Sequence, residues 1–174
     1  GNESLDRLVE IGKLKGQADF TRDIEFSPDS RQLYVSAGQH FYHWDLKKQQ
    51  VVRELSAPES MMHMAVLLDG ERVVTGHWED ERILLRRIDD GKVLRELAKI
   101  RYHCSSMDLS HDGNRLLISG HKGDVKLIDA KTWETLHVLD AEWSSCAALA
   151  GHIAAHAIGP DIHFWDPASG KTVH

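Results

Sequence analysis

The chain has 174 residues, enough for one substantial domain, and its 41% hydrophobic and 28% charged residues are those of a folded, soluble protein. Its net charge of −6, from 21 Lys and Arg against 27 Asp and Glu, argues against the concentrated basic face that a nucleic-acid backbone rewards. Charges interrupt even the richest apolar stretches, such as Ile83 to Ile88, so no run approaches the roughly 18 residues of a membrane-crossing helix.

In chain order, the first residue is Gly1 rather than Met, which fits removal of a signal sequence, a lipoprotein leader or an expression tag and leaves the compartment unassigned. Leu8 to Leu14 reads as an outer strand without the three strands that should precede it. From Phe20 onward the chain repeats itself. Phe20 to Ser30, Met64 to Gly70 and Cys104 to Gly113 are alternating strands that run into tight turns. Second strands end at glycines, at Gly38, Gly76, Gly120 and more loosely Gly159. Third strands end at aspartates, at Asp45, Asp89, Asp129 and Asp166, which recur after 44, 40 and 37 residues. Fourth strands follow as Val51 to Leu55, Val93 to Leu97 and, more loosely, Thr135 to Leu139.

Four short strands per unit, joined by Asp-Gly and Gly-Lys turns, describe an antiparallel four-stranded sheet. Such a sheet cannot bury both faces alone, so the units must stack, and radial stacking makes a β-propeller. The predicted fold is therefore all-β, one domain of about four blades. Blade boundaries are expected at 19–57, 58–98, 99–140 and 141–174, with 1–18 supplying the outer strand of an adjoining blade.

Phe26 to Ser30, Ser119 to Asp129, Trp44-Asp45 and Trp165-Asp166 resemble the first-hairpin and third-strand signatures of the WD-repeat family, in the order that family has them, and the resemblance covers nearly the whole chain. It implies structural roles for Trp44, Asp45, Asp89, Asp129, Trp165 and Asp166, and a binding or scaffolding protein rather than an enzyme. The family's Gly-His pair before the first strand is absent, with Ala57 to Ser60, Lys99 to Tyr102 and Ala141 to Ser144 in its place. The Asp-His-Ser/Thr-Trp network that stiffens such blades is therefore incomplete, and looser blades are expected.

Seven or eight blades are usual in that family, and Gly170 to His174 stops inside an outer strand. Three arrangements follow: a piece of a longer propeller, two copies closing an eight-bladed homodimer, or a small four-bladed ring. Open half-rings would expose more apolar surface than monomers tolerate, which ranks the first two above the third.

Twelve histidines raise the question of a metal. His152 and His156 lie four residues apart, roughly 13 Å along a strand, and His40 and His43 face opposite sides. Gln39, His77 and His121 each follow a second-strand glycine and are expected at equivalent rim turns, without a shared carboxylate pattern, so no metal and no cofactor is predicted. Cys104 and Cys146 lack zinc spacing and are expected as small buried residues, with a disulfide as the alternative. No phosphate-binding loop, GxSxG elbow or HExxH is present, so no catalytic residue is assigned. The short basic pairs Lys47-Lys48 and Arg86-Arg87 read as solvated surface and are given no role.

Trp78, Tyr102 and Trp143 fall in predicted loops that emerge on one face, with Arg101, Met61 and Met62 beside them and His77 and His121 at the rim. Aromatic and Met clusters with an arginine are the composition of interface hot spots. The sequence thus points to a protein partner on this face; the second class, a small-ligand or enzymatic propeller, would use the central channel.

Overall fold

A computed structural model describes residues 19–141 and 144–173. The outer strand expected over Leu8 to Leu14, and Trp143, lie outside the described residues. Within them there is no helix, and no helix long and apolar enough to cross a membrane. All regular structure is strand, in four antiparallel sheets of four.

The first sheet holds β1 (Thr21–Phe26), β2 (Gln32–Ala37), β3 (His40–Asp45) and β4 (Gln50–Ser56). The second holds β5 (Met61–Val66), β6 (Arg72–His77), β7 (Arg82–Arg87) and β8 (Val93–Lys99). The third holds β9 (Cys104–Leu109), β10 (Arg115–Gly120), β11 (Gly123–Asp129) and β12 (Thr135–Ala141). The fourth holds β13 (Ser144–Ala150), β14 (Ile153–Ile158), β15 (Asp161–Asp166) and the two-residue β16 (Lys171–Thr172). Strand order within each sheet is sequence order, so every connection is a hairpin.

The sheets stack through their first strands, β1 beside β5, β5 beside β9 and β9 beside β13, which makes these the inner strands of four successive blades. Side chains of one inner strand bond the backbone of the next. The Asp23 carboxylate accepts from the Met64 amide at 2.9 Å, the Ser106 hydroxyl from Ala147 at 2.7 Å, and the Asp108 carboxylate from Leu149 at 2.6 Å, each pair being 41 residues apart. The period seen in the sequence is thus also the spacing of the seams. At the top of the third seam Ser119, near the end of β10, donates to Ser144 at 2.6 Å and accepts from Ser105 at 3.0 Å, so the serines at this end of the seam satisfy one another.

Apolar residues pack between blades. Tyr34 and Phe41 meet Met61, Met64 and Val73 in the first seam; Ile83 and Leu85 meet Cys104 and Leu116 in the second; Leu117 and Val125 meet Leu149 and Trp165 in the third. Trp44 and Trp165 are 1% and 2% exposed. Asp45, Asp129 and Asp166 close the third-to-fourth-strand turns by accepting backbone amides of Lys48, Lys131 and Ala168.

Blade 2 departs from the predicted register. The backbone amide of Arg87 donates to the Lys92 carbonyl as that of Asp129 donates to Glu134, and the Ile88 amide donates to Glu71 as Leu46 does to Arg31 and Ala130 to Asn114. Arg87 therefore occupies the position of Asp45, Asp129 and Asp166, while Asp89 lies two residues beyond the end of β7. Asp90, not Asp89, caps this turn, accepting the Lys92 amide at 3.0 Å and two Arg87 nitrogens. Asp89 is exposed and takes Arg53 of blade 1 at 2.6 Å.

It follows that Arg86 stands where Trp44 and Trp165 stand, opposite Val73 as Trp44 is opposite Leu33. It is buried, which corrects its reading as half of a solvated pair. Its guanidinium donates to Thr75 Oγ1 at 3.2 Å and to Glu59 at 3.0 Å, and Thr75 Oγ1 lies 3.0 Å from His77 Nε2. Blade 2 thus replaces the missing network with a Glu-Arg-Thr-His chain, whereas the indole N–H groups of Trp44 and Trp165 have no acceptor among the described residues.

Candidate functional site

The second-to-third-strand turns and the fourth-to-first-strand loops emerge at the same end of the blades, where the inner strands begin. Each inner strand bulges there. Register skips a residue at Arg22, Met62 and Ser105, and places Ala37, His77, Gly120 and Ile158 opposite the first residue of their inner strands.

This register separates the predicted binding residues into two groups. His77 is equivalent to Gly120, not to His121, so it is the last residue of β6 and is 0% exposed. Burial and the Arg86 charge push its pKa down to about 4, and it is neutral at neutral pH. Met61 opens β5, hydrogen-bonds through its amide to Gly38 of blade 1, and is 2% exposed in the first seam. Neither side chain can meet a partner, because both sit where one blade closes on the next. Met62, at the bulge, is half-buried.

The outward group is different. Trp78 and His121 are true equivalents, since their amides bond the carbonyls of Ser60 and His103 just before the respective inner strands. Trp78 is 49% and Tyr102 55% exposed. The Trp78 indole stacks on His103 with centroids 4.2 Å apart, and His103 stacks on His121 at 4.6 Å. Lys122 places its ammonium 4.4 Å from the centre of the Tyr102 ring. Three loops from two blades thus build one continuous aromatic shelf.

His103 and Lys122 were not singled out in the sequence; only the stack reveals them, although His103 adjoins Tyr102 in the same loop. Burial and the neighbouring His121 and His63 hold the His103 pKa below the usual histidine range. Arg101 points outward to Asp140 at 3.2 Å, while its amide bonds the Asp124 carboxylate at 3.0 Å. Tyr102 has a positive φ of 63°, a sign that this loop is held by its contacts rather than by local preference.

The shelf is anchored to the interior. Asp80 accepts the Arg82 amide at 3.0 Å and its guanidinium at 2.6 Å, and Arg82 reaches Glu59, the acid that also pairs Arg86. The loop carrying Trp78 is therefore tied to the buried chain of blade 2. Of the other predicted residues, Gln39 is exposed and donates to the Pro58 carbonyl at 2.9 Å. Cys104 is buried, Cys146 is exposed, and the two are not joined in a disulfide.

In comparisons with known proteins, a model of the WD40 domain of anaphase-promoting complex subunit 4 matches residues 72–154. Solved WD40 folds superpose on the blades: U3-55K with a TM-score of 0.78 over 92% of this chain and 53% of that one, at 15% identity, and the RRP9 WD40 repeats with a TM-score of 0.78 over 92% and 52%, at 15% identity. The chain has the WD40 propeller fold. Autophagy-related protein 16 of Arabidopsis thaliana is 29% identical over 171 residues, covering 92% of this chain and 33% of that protein. Hydrazine synthase of Kuenenia stuttgartiensis shares the fold with a TM-score of 0.77 over 97% of this chain and 52% of that one, at 18% identity. The chain thus spans about a third of the curated relative and about half of each solved structure.

Proposed function

We propose that this chain is a non-catalytic protein-interaction module whose contact surface is the loop face bearing Trp78, Tyr102 and Arg101. The observation that carries this reading is the stack of Trp78, His103 and His121: large rings ordered against one another, half-exposed, and anchored to the blade interior through Asp80, Arg82 and Glu59. Rigid aromatic groups of this kind lose little entropy on binding and dominate interface energies. A Trp78→Ala, Tyr102→Ala double variant is expected to melt like the parent, because neither side chain is core, and to lose the proteins that the parent retains in cross-linked complexes from its source. A folded variant that keeps them all overturns the assignment.

A reading through the central channel has one observation in its favour. Burial, with Asp23 and Asp108 nearby, pushes the Glu25 carboxyl up to about 7 on an inner strand, as acid–base groups require. Asp23 and Asp108, however, are committed to backbone amides of the neighbouring blades, which leaves Glu25 without a reactive companion.

Ring closure by a second copy is the further part of this proposal. The far face of blade 4 carries Ile162 and Phe164, 65% and 48% exposed, beside exposed Ala148 and Ala150, and blade 1 exposes Ile24 and Phe26 on its inner strand. Surfaces this apolar are normally covered, and the superposition on half of larger propellers supports coverage by further blades. Light scattering across a concentration series is expected to give a dimer mass, reduced to the monomer by Ile162→Asp with Phe164→Asp. A compact monomer at every concentration refutes the dimer and favours further blades from the same chain.

A further inference from the structure

Deepening the loop-face reading, on which it rests, we infer that the shelf at Trp78 receives an arginine side chain from a basic segment of the partner protein. One face of the Trp78 indole lies on His103, and half of the residue is still exposed, so the opposite ring face looks into solvent. The loop that carries this indole is acidic. Glu79 and Glu81 are both exposed, and among the described residues their side chains make no hydrogen bond or ion pair, in contrast to the neighbouring Asp80, which is held by Arg82. Among the cations of this region, Arg82 is held by Asp80 and Glu59, Arg101 by Asp140, and Lys122 by the Tyr102 ring, while Lys99 borders Glu81. His103, with its depressed pKa, is neutral at pH 7 and does not oppose a cation. What the loop presents is therefore a half-exposed indole with two exposed carboxylates, one and three residues further along the chain.

A planar guanidinium fits that surface better than an ammonium does. It can lie flat on the indole while its edge donates to a carboxylate, and it sheds water more readily. The Lys122–Tyr102 contact shows the same pairing of cation and ring, already made within the chain on the same shelf. The protein's overall acidity would steer a basic segment toward it.

The test uses three blocked pentapeptides, Gly-Arg-Gly-Arg-Gly and its lysine and glutamate counterparts, titrated against the protein at 50 mM salt with the Trp78 indole N–H resonance as reporter. Binding of the arginine peptide is expected to weaken about tenfold in Trp78→Ala, read by calorimetry, and about threefold or more in Glu79→Gln with Glu81→Gln. The lysine peptide is expected to bind more weakly than the arginine one, and the glutamate peptide not to shift the resonance. Equal affinity for parent and Trp78→Ala would mean unspecific attraction to an acidic protein and overturns the proposal, as does tighter binding of the glutamate peptide. If the peptides fail while Trp78→Ala with Tyr102→Ala still loses the native partner, the loop face stands and only its arginine chemistry falls.

Discussion

Replacing Glu59 by alanine is expected to cost about 3 kcal/mol of folding stability, read as a lower urea midpoint with unchanged slope. Glu59 is the counter-charge for Arg86, whose side chain is only 8% exposed, and its other oxygen receives Arg82. Without it, a guanidinium stays buried where its remaining partners are a hydroxyl and the Gly91 carbonyl. Removing one member of a buried ion pair leaves the desolvation penalty of the other uncompensated, which is worth more than the pair itself contributes. The companion variant Glu59→Ala with Arg86→Leu removes both charges and is expected to recover most of the loss. A single-variant effect below about 1 kcal/mol would show that Arg86 finds water or another acceptor, and that blade 2 does not depend on this chain.

Gly76→Ala is expected to be nearly as damaging, at about 3 kcal/mol. A Cβ built there collides with the Cys104 Cβ and comes within 2.7 Å of its Sγ and 3.4 Å of Ile83 Cδ1. Both neighbours are 0% exposed, in the seam where the inner strand of blade 3 meets β6. Neither backbone can retreat without opening the seam, because interiors are packed too densely to absorb a methyl group. The glycine is required here by close approach, not by its backbone angles. Combining Gly76→Ala with Cys104→Gly is expected to cost less than the sum of the two single changes by about 1 kcal/mol or more. Strict additivity, or a Gly76→Ala variant within about 0.5 kcal/mol of the parent, would refute the contact.

The two effects lie in the same blade, and it is the blade whose register was misread. Gly76 looked like the end of a second strand because the other blades have a glycine near that point. In the structure it lies one residue earlier than Gly120, and His77 takes the last position of β6. The Arg86-Arg87 pair looked like solvated surface because charge runs usually are. Nothing in the local sequence marks Arg86 as the occupant of a tryptophan position, since its partner Glu59 lies 27 residues away in another loop.

The sequence by itself determined what depends on short-range pattern. Alternation of apolar residues, aspartate turns and a recurring unit of about forty residues specified four-stranded hairpin sheets, their number and their radial stacking, because period-two strands with one-residue registers allow few other ways to bury both faces. Tertiary structure alone decided what depends on contacts between units. It buried Met61 and His77 at a seam, set Arg86 against Glu59, and brought Trp78, His103 and His121 from three separate loops into one stack. Those outcomes turn on single-residue shifts at the bulged starts of the inner strands, where one step moves a side chain from the solvent face into the seam.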